Sequence, residues 1–98
     1  MKIEQLLTIS DPKQVYKKFI DHGYDKYTNI YVSTRKDKKY MVVHPITEKL
    51  IHFGSSDYSD YTKHKDEQRR TNFLKRNVKW SKADIFSPAY LSYSLLWI

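Results

Sequence analysis

Three short runs of β-branched and aromatic residues, separated by turns of four or five residues, constrain this chain more than any other feature. They cover residues 29–33, 39–44 and 49–53, and their content of Ile, Val, Tyr and Phe is typical of strands. Connections this short cannot make the crossover that parallel neighbours need, so the strands must be antiparallel. The sequence therefore predicts a three-stranded antiparallel meander with loops near residues 34–38 and 45–48.

The register of the second hairpin decides which side chains share a face of this sheet. If His44 pairs with Lys49, apolar side chains occupy both faces. One face then carries Tyr40, Val42, Ile51 and Phe53, and the other carries Met41, Val43, Leu50 and His52. Because a sheet that is apolar on both faces needs cover on both, we expect a helix over residues 11–22 on one face and the C-terminal segment on the other.

Helices are expected on either side of the meander. Asp11 followed by Pro12 is typical of a helix start, and Gly23 of the corresponding end. Thr62 is a plausible N-cap for a helix through roughly Asn77, and a last helical segment begins at Ser87. Since 98 residues cannot fill a second core, we predict one α+β domain over residues 1–98, with the meander packed against an N-terminal helix and C-terminal helices.

Positive charge is concentrated in one segment of the chain. Residues 62–82 hold eight Lys and Arg against two acidic residues, which accounts for +6 of the formal net charge of +7. A local excess of cations attracts phosphate backbones, anionic lipid headgroups or acidic protein surfaces, although a solvated helix face explains it nearly as well. The candidate contacts to phosphate are Lys65, Arg69, Arg70, Lys75, Arg76, Lys79 and Lys82.

The geometry of this segment favours contact that is independent of nucleotide sequence, because helical angles spread its cations around the axis. Tyr58 and Tyr61 stand beside it at a spacing of three residues. Their rings could stack on bases, as in single-strand binders. They could equally close the edge of the core with their hydroxyls toward water, and both interpretations stay open here.

Composition excludes several classes of chemistry. The chain has no Cys, which excludes disulfides, thiolate nucleophiles and cysteine zinc sites. Gly23 and Gly54 are its two glycines and do not have the spacing of a phosphate-binding loop. A metal site could still gather Asp57, Asp60, His64 and Asp66, but turn hydrogen bonds and helix capping explain the same residues. We therefore predict no catalytic residue, metal ligand or cofactor.

The two ends of the chain bear on location and partners. Glu4 and Gln5 interrupt the apolar run that a secretion signal needs, and no apolar stretch approaches the roughly 20 residues that span a bilayer. We expect an intracellular protein without a membrane span. The C-terminal apolar side chains should dock on the domain's own sheet, with docking on a partner or a second copy as the alternative. This alternative concerns Tyr90, Tyr93, Leu96 and Trp97.

Two motifs resemble a family of small uncharacterised proteins encoded by giant double-stranded DNA viruses. The similarity extends over roughly residues 40–97 and is carried by residues 52–55, 58–62, 64–66, 69–70, 88–92 and 95–97. Family members often carry Arg-His where this chain has Arg76 and Asn77, so a role that rests on that histidine does not carry over. The resemblance implies a viral protein, present in the host cytoplasm or nucleus or in the virion, and brings no activity with it.

Three functional hypotheses follow from these observations. The leading one is a small non-enzymatic protein that binds nucleic acid, or another polyanion, through a surface-exposed basic helix. The alternative is a minor capsid or cementing protein whose cations meet an acidic viral protein surface and whose C-terminus anchors in a groove. The third is a small metal-dependent nuclease, motivated by the acidic and imidazole side chains of residues 57–66.

Overall fold

The computed structural model describes residues 1–25 and 27–98. Two helices come first, α1 (Ile3–Leu7) and α2 (Pro12–Asp21), and the strands β1 (Ile30–Val32), β2 (Lys38–Val43) and β3 (Leu50–Ser55) follow. The second half contains α3 (Tyr61–His64), α4 (Glu67–Arg76), a 3-10 helical turn (Val78–Lys82), α5 (Pro88–Leu91) and a π-helical segment (Ser92–Trp97) that continues α5. The predicted α+β fold is confirmed.

The sheet is an antiparallel meander in the order β1-β2-β3. In the second hairpin Tyr40 lies opposite Phe53, and the backbone N–H of His44 donates to the carbonyl of Lys49 at 2.9 Å. The predicted register is therefore confirmed.

Helix α2 begins and ends where its sequence signals predict. The carboxylate of Asp11 accepts hydrogen bonds from the backbone N–H groups of Lys13 and Gln14, with Pro12 at the first helical position. Gly23 follows the C-cap with φ of +86°, a left-handed conformation that glycine adopts without steric cost. Both ends of α2 are therefore confirmed.

The expected division of the two faces between α2 and the C-terminal segment needs correction, because both pack in one buried cluster with Tyr40, Val42 and Phe53, and Leu96 also reaches the opposite face at Gly54. Residues of both join the core strands in one buried cluster: Leu6, Val15, Phe19, Tyr24, Tyr40, Val42, Phe53, Leu91, Leu95, Leu96 and Trp97. The other face keeps Tyr31 and Leu50 exposed. An antiparallel sheet tolerates one solvated face, and a chain of this size fills one core more completely than two.

The basic segment forms two helices, so the prediction of one helix from Thr62 to Asn77 is also wrong. Lys65 ends α3 in a left-handed conformation with φ of +57°. Asp66 then takes extended geometry, and its carboxylate accepts from the N–H groups of Gln68 and Arg69 at the start of α4. A second N-cap inside the segment starts a new helix with a new axis. Asp60, rather than Thr62, caps α3.

The C-terminal segment docks on its own domain. Leu96 and Trp97 are 1% and 8% exposed, so both pack mainly within the core of their own chain. Tyr90 and Tyr93 are half-buried. In the part of the chain that the structure describes, no helix has both the length and the apolar content needed to cross a membrane.

Candidate functional site

A cleft of about 930 Å³ separates α4 and the 3-10 turn from β2, β3 and the start of α5. Its volume lies within the range of small-molecule sites in proteins. Polar and aromatic side chains that line it include Lys38, Tyr58, Arg69, Asn72, Arg76 and Trp80. It therefore combines cations with flat apolar surface.

One face of α4 supplies a whole wall of this cleft. Arg69, Asn72, Phe73 and Arg76 all line it, and their spacing of three, four and seven residues places them on the same side of a helix. Phe73 is partly buried and packs against the core. Because this ring anchors the helix, the two guanidinium groups are held at the cleft rather than turned away from the sheet.

Aromatic rings extend this wall along the chain. Phe73 stacks on Trp97 with ring centroids 4.3 Å apart, and Trp80 meets the edge of Phe73 at 5.8 Å. Trp80 is 37% exposed, and Tyr58, from the loop after β3, is 63% exposed. The cleft thus presents two accessible rings from separate segments.

Among the described residues, no carboxylate pairs with the two guanidinium groups of the cleft. None of the described residues that line it is acidic, and the ion pairs found among residues 1–25 and 27–98 do not involve Arg69 or Arg76. Arg69 makes one polar side-chain contact, a 3.3 Å hydrogen bond to the Ser59 hydroxyl. Its guanidinium and that of Arg76 keep most of their donors for an anion.

Lys38 and Lys39 are neighbours in β2 but differ in their surroundings. Lys38 lines the cleft, although the sequence suggested no more than a hairpin role for it. Lys39 is buried, and its Nζ lies 3.2 Å from the carboxylate of Asp60. Burial lowers the pKa of Lys39, while Asp60 opposes that shift. Both lysines line the cleft, but the charge of Lys39 is paired with a buried carboxylate, so Lys38 is the lysine that we assign to the site.

Several predicted site residues have structural roles instead. Arg70 donates to the Trp97 carbonyl at 3.0 Å, pairs with Glu67 at 3.4 Å and lies over the Tyr61 ring at 5.1 Å. The Tyr61 hydroxyl donates to Glu67, and Lys65 donates to the Gln14 side chain. Arg70, Lys65 and Tyr61 therefore connect α3 and α4 with each other, with α2 and with the C-terminus, and none of the three lines the cleft.

The remaining predicted cations flank the cleft. Lys75, Lys79 and Lys82 are exposed and lie on the two segments that form its wall, without lining it. They add to the positive potential around the site. Sequence reasoning missed Lys38, Asn72, Phe73 and Trp80 as site residues. The spacing of three, four and seven residues from Arg69 could have predicted Asn72 and Phe73 as neighbours of Arg76, but the sequence carries no comparable pattern for Lys38 or Trp80.

The four side chains considered for metal chemistry do not gather. Asp60 is buried with Lys39, Asp66 caps α4, and Asp57 is exposed in the loop after β3. The His64 ring packs on Trp97 at 5.3 Å, where burial lowers its pKa. Within the described ranges, no three His, Asp or Glu side chains are grouped so that they could hold one metal ion.

Comparisons with known proteins bear on the family and not on the activity. A search of curated proteins and a search of solved structures found no match. A family of unknown function, DUF5754, matches residues 28–77. The matched part runs from the start of the meander through α4, and so includes Lys38, Tyr58, Arg69 and Arg76. Because the match covers just over half of the chain, the protein belongs to this family of unknown function.

Proposed function

We propose that this protein is a non-enzymatic nucleic-acid-binding protein that contacts the phosphate backbone independently of sequence. The observation that carries the proposal is the uncompensated pair Arg69 and Arg76 in a cleft with no acidic lining residue among those described. Arg suits phosphate because its planar donors bind two oxygens at once and its charge is permanent.

The distribution of charge supports the same conclusion. Lys38 adds a third cation to the cleft, and Lys75, Lys79 and Lys82 extend the positive surface beyond it. Phosphate contact needs exposed, long and charged side chains rather than one fixed geometry. A surface of this kind attracts a polyanion over several ångströms and weakens as salt screens it.

A viral role remains part of the proposal, since the resemblance described above implies a viral protein. The alternative of a minor capsid or cementing protein would use the same cations on acidic coat surfaces. Its anchor, however, included Leu96 and Trp97, which are buried in the chain's own core. This burial favours nucleic acid as the partner.

A titration against salt tests the proposal. Fluorescence anisotropy with a labelled nucleic acid of mixed sequence should show binding at about 100 mM salt, with log K falling linearly as log salt rises. The double variant Arg69→Ala/Arg76→Ala should lose about tenfold in affinity per guanidinium removed. Its salt slope should fall by about 1.4 to 1.8, because two phosphates are no longer neutralised.

The control removes the same charge from another place. Lys13 and Lys17 are exposed on α2 and do not line this cleft, so Lys13→Ala/Lys17→Ala should retain most of the affinity. No binding at about 100 mM salt, or equal losses in the two double variants, would refute a nucleic-acid site in the cleft.

A further inference from the structure

We infer that the cleft receives an unstacked base, so that the protein binds single-stranded nucleic acid in preference to duplex. This inference rests on the proposed function and adds the form of nucleic acid that the site takes. It depends on the combination of guanidinium groups with accessible aromatic rings in one cavity. Cations alone would serve a duplex as well as a single strand.

The rings are what distinguishes this cleft from a merely basic surface. Tyr58 and Trp80 are 63% and 37% exposed, and both line the same space as Arg69 and Arg76. Aromatic side chains beside a cationic track are the means by which single-strand binders hold bases, because every base has a face on which a ring can stack. Arg adds its own stacking surface.

A single strand and a duplex offer this cleft different groups. In a duplex the bases are paired and stacked inside, so that contact is limited to phosphates unless a base is unstacked at a cost of a few kcal/mol. A single strand can turn a base toward Tyr58 or Trp80 while its phosphates reach Arg69 or Arg76. The cleft of about 930 Å³ has room for one nucleotide.

Tryptophan emission and paired probes test the inference. A mixed-sequence strand of about 12 nucleotides and the duplex that contains it are titrated separately at about 100 mM salt. The strand should bind at least about tenfold more tightly, and its binding should quench indole emission. In Trp80→Phe, which keeps a ring against Phe73, the quenching should shrink to the smaller contribution of Trp97, which also lines the cleft but is 8% exposed, while affinity changes little.

Tyr58 supplies the second arm of the test. Tyr58→Ala should weaken strand binding by roughly five- to a hundredfold, the range for loss of one stacked base. Tyr58→Phe should retain the affinity. The control Tyr16→Ala removes another half-exposed ring, 48% exposed on α2, and should behave like the unmodified protein.

The outcomes separate this inference from the proposed function. Equal affinity for strand and duplex, unchanged emission at saturation, or equal effects of Tyr58→Ala and Tyr16→Ala would each overturn the inference and leave nucleic-acid binding intact. Failure of both probes to bind would refute the proposed function, and the inference would fall with it.

Discussion

Neighbouring lysines in β2 show how position decides the use of a cation. Both line the cleft, but Lys38 is half-buried, whereas Lys39 is 2% exposed and paired with a fully buried Asp60. The carboxylate of Asp60 also accepts from the backbone N–H and the hydroxyl of Thr62. A buried charge is tolerated only with such partners. Sequence patterning cannot anticipate this, because a Lys in a basic run is normally solvated.

For single residues, the buried ion pair of Lys39 and Asp60 leads to a prediction about stability. Lys39→Met removes one partner and leaves the Asp60 charge uncompensated, so the free energy of unfolding should fall by about 3–5 kcal/mol. Asp60→Asn, added to Lys39→Met, should recover much of this loss. Urea unfolding at neutral pH measures both.

The exposed pair Arg35–Asp37 provides the control for this experiment. Its side chains are 53% and 60% exposed, so Arg35→Met should leave the unfolding midpoint nearly unchanged. If Lys39→Met is as well tolerated as Arg35→Met, the buried pair is not the constraint that we describe.

Among the elements, those with local signals could be predicted from sequence. The cap at Asp11, the end at Gly23 and the hairpin register each depend on a few neighbouring residues. The break at Lys65 could not be predicted, because Asp60, Thr62 and Asp66 are all acceptable caps, and the structure uses Asp60 for α3 and Asp66 for α4. The cleft could be predicted only in part, since its opposite walls meet through tertiary packing.

At the scale of the elements, the contact between the π-helical segment and β3 leads to a prediction for Gly54. Gly54 has φ of +82°, and a Cβ there would lie 2.8 Å from Cδ1 of the buried Leu96. Gly54→Ala should therefore lower the free energy of unfolding by about 2–5 kcal/mol, from overpacking and backbone strain together. Chemical denaturation provides the measurement.

Gly23 separates these two contributions. Its φ is +86°, but a Cβ there would meet nothing within 4 Å. Gly23→Ala should cost only the backbone part, about 1–2 kcal/mol. Equal losses at Gly23 and Gly54 would contradict the close approach of Leu96 to β3.

At the scale of the whole molecule, the residues that form the core and the residues that we assign to binding lie mostly in different segments. Helices α1 and α2 and the C-terminal segment form the buried core with the sheet, while α4 contributes no fully buried residue. Its partly buried Phe73 and Leu74 pack against the core, and most of its other side chains are exposed. Fold stability and binding therefore rest largely on different residues, which is why Arg69 and Arg76 can be changed with little effect on the core.

The position of bound nucleic acid tests the central claim most directly. Adding a mixed-sequence single strand to isotope-labelled protein should shift the NMR signals of Lys38 and Asn72 and of the indole N–H of Trp80. Signals of Tyr31 and Leu50, exposed on the open face of the sheet, should not move. Shifts confined to that open face, or to α2, would contradict the assignment of the cleft as the binding site.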